Sequence, residues 1–129
     1  MRLITDYESG TSDICSDKML NEWKDHPKIV EGMRNRRFIC LKSSEWRFYV
    51  YRGLERDYIV IPCRFCSCYD FLLNVLIRKR KVACYHVIGF EIARLNNALI
   101  EVEVCKRELS TILSEIMVFG KSNSLRKYV

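Results

Sequence analysis

Three thiols and one imidazole stand in two close pairs, Cys66-Ser67-Cys68 and, fifteen residues further on, Cys84-Tyr85-His86. Soft sulfur and borderline nitrogen in that three-to-one set are donors that a tetrahedral zinc ion takes. Alternate residues of an extended chain face the same way, so Cys66 and Cys68 can grip one ion without distorting the backbone. Cys84 and His86 would close the site from a second segment. Four protein donors leave no open position for water, which makes the expected site structural and not catalytic. The expected cofactor is one structural zinc ion on Cys66, Cys68, Cys84 and His86, and no catalytic residue is expected.

One alternative stays open among the ligands. Cys63-Arg64-Phe65-Cys66 is also a C-x-x-C, the spacing of an ordinary zinc knuckle. In extended chain Cys63 points away from Cys66 and Cys68 points with it, but a turn after Pro62 would relax that parity. Otherwise Cys63 is a free thiol, as are Cys15, Cys40 and Cys105. His26 has no cysteine at ligand spacing and reads as an exposed turn histidine. Cys84 and His86 lack a third orienting group for nucleophilic catalysis. No βαβ pattern surrounds Cys63 and Cys66 to make them a redox pair. The five glycines do not cluster into a phosphate-binding loop.

The elements that must position these ligands are legible from periodicity. Residues 13–23 can be helical, and Asp25-His26-Pro27 starts a second helix with proline at its first position. From Arg36 the period changes: Phe38 and Cys40 share one face, Ile39 and Leu41 the other. Trp46, Phe48 and Val50 alternate with Arg47, Tyr49 and Tyr51 in a strong second strand. A third strand covers residues 57–61 and ends or kinks at Pro62. Short turns between them imply a three-stranded antiparallel meander. Residues 69–79 have helical spacing at Phe71, Leu72, Val75 and Leu76, and residues 86–96 form another helix. Residues 100–105 can make a short strand. Leu109, Ile112, Leu113, Ile116 and Met117 then form a helical stripe ended by Gly120. That stripe is core, or an interaction helix if the domain is already filled. The basic tail, residues 121–129, is expected to be mobile, and residues 1–12 to be a frayed start.

The 129 residues and their composition suit a globular α+β protein with one domain or a small core with appendages. The expected division is an N-terminal helical segment (1–35), the metal-binding domain (36–97), a C-terminal strand and helix (98–120) and the tail. No secretory signal is visible at the start, and no apolar run approaches the ~20 residues that span a bilayer. The expected setting is soluble and intracellular: cytoplasm in a prokaryote, nucleus in a eukaryote. Seven cysteines in that setting mean metal more often than disulfides. A net charge of +6 is compatible with an acidic partner. Arg78, Lys79, Arg80 and Lys81 are the candidate phosphate-binding residues, though a solvated loop also accounts for them. Arg47, Tyr49, Tyr51 and Arg52 either stack on single-stranded nucleic acid or pack under a helix, the latter being preferred.

C-x-C, a variable gap and C-x-H resemble the SWIM zinc-finger signature, in which a β-hairpin leads into the first pair and the second opens a helix. Tyr58-Ile59-Val60, Phe65-Cys66-Ser67-Cys68, Asp70-Phe71 and Cys84-Tyr85-His86 look like the single-SWIM proteins of archaea and the SWIM subunit of the Shu complex. The likeness covers residues 36–95. It implies a non-catalytic module that pairs with a RecA/RadA-like ATPase paralog and promotes recombinase assembly on single-stranded DNA in homologous recombination and DNA repair. It implies no membrane and no small-molecule substrate. The alternative is a direct DNA- or RNA-binding zinc finger, acting as a regulator.

Overall fold

Residues 13–129 are described by a computed structural model; the frayed start and the leader reading fall outside them. Phe38–Ser43 (β1), Trp46–Arg52 (β2) and Asp57–Ile61 (β3) are joined by short turns and pair antiparallel. Two more strands correct the expected three-stranded sheet. Phe65–Cys66 (β4) folds back antiparallel on β3, with Cys66 opposite Val60. Ile100–Glu103 (β5) runs parallel to β1, with Ile100 opposite Ile39. The sheet is therefore five-stranded and mixed, in the order β4-β3-β2-β1-β5. The interior strand β1 carries a run of buried residues, Phe38 to Leu41, because both faces are covered.

On one face lie Asp17–Trp23 (α1), Pro27–Arg34 (α2) and Tyr85–Leu95 (α3). The expected single helix over residues 13–23 is broken: a 3-10 turn, Asp13–Cys15, precedes α1, whose cap Ser16 accepts from the Met19 N–H. His26 caps α2, accepting from the Lys28 N–H through Nδ1, and stacks against Trp23 and Tyr85. It is half-buried, where an exposed turn residue was expected. Phe38, Tyr51, Val60, Val87, Ile88 and Phe90 form the centre of this core, and the candidate metal ligands belong to it. Tyr49 and Tyr51 face it, Tyr51 fully buried, so they pack under helices and are not a stacking surface.

The opposite face is covered by Lys106–Phe119 (α4), whose Leu109, Ile112 and Ile116 meet Ile39, Leu41 and Val50. Most of the predicted stripe is thus core, while Met117 is exposed. Gly120 ends α4 at φ 77°, the left-handed conformation that favours glycine. The tail is packed, not loose. Leu125 is fully buried, and the Ser122 N–H and Arg126 both donate to the buried Asp57 carboxylate, at 2.8 and 2.7 Å.

Close approach of α3 to the sheet depends on Gly89. A Cβ there would lie 2.8 Å from the ring of Phe38, which is itself enclosed. Gly89→Ala should destabilise the fold by about 1–3 kcal/mol through overpacking. The check is a lower urea midpoint at unchanged denaturant slope.

Candidate metal centre

Pro62 sets up the first half of the site. The Arg64 N–H donates to the Ile61 carbonyl, and Cys63, third in that turn, has φ 65°. Proline second and a positive φ third is the backbone of a type II turn. The turn reverses the chain into β4, and Ser67 secures it by donating its N–H to the Ile59 carbonyl while its hydroxyl accepts from the Ile59 N–H. Cys66 and Cys68 then enter the core from the strand end. Cys84 occupies the cap position of α3 in extended conformation, and His86 follows in the first turn.

The four side chains converge. One ligand atom from each of Cys66, Cys68, Cys84 and His86 lies within 4.8 Å of all the others, and all four residues are buried. His86 presents Nδ1, at 3.5 Å from Cys66 Sγ and 3.7 Å from Cys84 Sγ. Metal–sulfur bonds of about 2.3 Å and a metal–nitrogen bond of about 2.0–2.1 Å in a tetrahedron separate sulfur from nitrogen by about 3.6 Å. The residues therefore fit a tetrahedral ion. No other His/Cys/Asp/Glu cluster of this kind occurs among the described residues.

The sulfurs are also prepared electrostatically. Each accepts one main-chain N–H: Cys66 from Cys68 at 3.4 Å, Cys68 from Phe71 at 3.3 Å, and Cys84 from Val87. Hydrogen bonds from Cys66 and then Cys84 hold the Cys68 thiol far below its ordinary value. Cys66 is pushed far above it, by its bonds to Cys68 and Cys84 and then by burial. At Cys84 the bond to Cys66 lowers the value, but Cys68 and burial outweigh it and raise it. Three buried thiols thus share one negative charge readily and resist a second, so a cation is what lets all three ionise. The cluster can hold a metal ion.

Around the ligands stands an aromatic wall that periodicity did not single out. The His86 ring lies 4.3, 5.1 and 4.2 Å from the rings of Tyr51, Tyr58 and Tyr85. Burial raises all three phenols above their usual range, so they remain neutral and orient the imidazole by contact. Their positions beside the strand and the C-x-H pair were the available signal.

Cys63 is not among the converging atoms. It forms a disulfide with Cys15, correcting the expectation that both are free thiols. Cys40 is a buried free thiol and Cys105 an exposed one. Cys63→Ser should therefore keep a stoichiometric metal ion, assayed by elemental analysis. Releasing a link across 48 residues should lower stability by about 2–4 kcal/mol under oxidising conditions.

Arg78, Lys79, Arg80 and Lys81 lie together in an exposed loop between the ligand pairs. They follow Phe71–Ile77, which is π-helical where an ordinary helix over residues 69–79 was expected. Among the described residues no helix is long and apolar enough to cross a membrane. No family model matches the chain, and neither a curated protein nor a solved structure matches it.

Proposed function

We propose that the chain is a non-catalytic zinc-binding module of the SWIM type, acting as a protein-interaction partner of a RecA/RadA-type recombinase paralog in homologous recombination and DNA repair. The observation that carries the structural-metal reading is the enclosed, four-donor convergence of Cys66, Cys68, Cys84 and His86. Zinc is favoured by the tetrahedral S₃N donor set, and four protein donors leave no place for a reacting water. The β3–β4 hairpin ahead of the first pair and α3 behind the second agree with the SWIM arrangement. The recombinase partner rests on the sequence resemblance alone.

Direct DNA or RNA binding is the second reading, favoured by the exposure of Arg78, Lys79, Arg80 and Lys81 together. One titration separates the two. Contact with about three phosphates should weaken on the order of 30- to 80-fold between 0.1 and 0.5 M salt. Docking of a purified recombinase paralog through apolar surface should change far less. Zinc at one per chain with salt-tolerant paralog binding is the expected result. Steeply salt-dependent oligonucleotide binding without paralog binding would transfer the function to the second reading.

A further inference from the structure

We propose that residues 69–83, pinned at their ends by the ligands Cys68 and Cys84, form a docking surface for an acidic, amphipathic segment of a protein partner. The inference rests on the interaction-module reading above, but not on the identity of its partner.

Exposed apolar side chains concentrate here. Tyr69, Leu72, Leu76, Ile77 and Val82 all face solvent, Ile77 at 71% exposure. A run of this kind marks an interaction surface more readily than apolar residues scattered singly. Within it Val75, Leu76 and Val82 line a shallow, open groove with Lys79, Arg80 and Lys81. Lys81 is held by Asp70 at 2.7 Å. Arg78, Lys79 and Arg80 have no side-chain hydrogen bond or ion pair among the described residues, so their charge is available to a ligand.

The segment is built, not slack. Phe71 and Ala83 anchor it in the core. Asn74 donates to Asp70 at 2.8 Å, and the Asn74 carbonyl accepts from the Arg80 N–H at 2.7 Å. The Arg78 N–H closes the π-helical turn onto the Leu73 carbonyl, and Lys79 is kept at φ 52°. π-helical turns inside a chain are rare and cluster at functional sites. A surface already ordered before binding loses less entropy when it docks.

The complement of an aliphatic groove with cations on its rim is an apolar ridge flanked by carboxylates, the face of an acidic amphipathic helix. Single-stranded nucleic acid fits less well, because Tyr69 is the one exposed ring of this segment and Val75, Leu76 and Val82 give successive bases none to stack on.

The test uses the full metal-loaded chain and a fluorescein-labelled 16-residue helical peptide with a leucine face flanked by glutamates. Anisotropy should show binding that weakens at least tenfold in Leu76→Asp and in Arg80→Glu. It should be unchanged in Phe119→Asp, which alters a different exposed apolar residue. A peptide with lysines in place of glutamates should not bind. Elemental analysis of each variant checks that the fold and metal are intact. Absence of peptide binding, or binding indifferent to Leu76 and Arg80, would overturn the proposal. So would tighter binding of dT20, or of vesicles with 30% anionic lipid, through those same residues. Recombinase-paralog binding measured on the same variants separates the two levels. Peptide binding without paralog binding sinks only the recombinase reading, and paralog binding that survives Leu76→Asp and Arg80→Glu sinks only this surface.

Discussion

His86→Ala, and serine at Cys66, Cys68 or Cys84, should each abolish metal binding and unfold the protein at ordinary temperature. A structural zinc contributes on the order of 10–16 kcal/mol in small modules, against a net stability of about 5–15 kcal/mol for a domain. Losing most of the first is comparable with the whole of the second. The loss would not stay local, because Cys66, Cys68 and Cys84 are themselves part of the core over β1–β3, whose other face supports α4. Removing one donor also leaves the remaining buried thiols without the cation that lets all of them ionise. Circular dichroism should therefore show loss of helix and sheet together, with elemental analysis reading well below one metal per chain. A strong chelator should reproduce the effect on the unaltered chain, and restored metal should reverse it. Stoichiometric metal in Cys68→Ser alongside its loss in Cys63→Ser would overturn the ligand set.

The contrast between Cys68 and Cys63 shows what residue spacing can and cannot convey. Parity along an extended chain put Cys68 with Cys66 and Cys63 apart, as the side chains lie, although the chain is not extended there. Pro62 and the positive φ of Cys63 turn it, and the turn sends Cys63 toward Cys15. That disulfide was not legible, because it depends on how α1 and the 3-10 turn before it settle against the rest. A reading of the cysteines as uniformly reduced had also removed it from view.

The same division runs through the sheet. β1 to β3 could be read because their pairing is local and their side chains alternate, Trp46, Phe48 and Val50 against Arg47, Tyr49 and Tyr51. β5 could be read as a strand from Val102 and Val104 alternating with Glu101 and Glu103, but not placed. Its partner Ile39 lies far back in the chain, and only the parallel crossover through α3 brings them together. β4 spans two residues, too few for any period to register. The tail misled for a compositional reason: its lysines and serines look solvated, yet Leu125 reaches the core and Arg126 pairs with Asp57 at 2.7 Å.

Phe38 is the position where α2 and α3 both close onto the sheet, and Phe38→Ala should cost about 3–5 kcal/mol. Its ring is fully buried at the start of β1. It meets Tyr51 and Phe90 edge-on, with centroids 5.2 and 5.0 Å away, and each such pair adds about 0.5–1.5 kcal/mol beyond burial. The site is poorly able to collapse around a smaller residue. Gly32 and Gly89, which close against the ring from the two flanking helices, have no side chains to move into the space. A cavity should therefore persist and place the cost toward the upper end of the range. Phe38→Leu, which keeps much of the volume, should cost less than half as much. Because Phe38 is not a ligand, both variants should still bind one metal ion in the absence of denaturant. The urea midpoint for metal release should nevertheless fall together with that for loss of helix, since His86 is held against Tyr51, and Tyr51 against Phe38. Metal release that keeps its original midpoint while the helices melt earlier would show that the centre folds independently of the sheet it sits on.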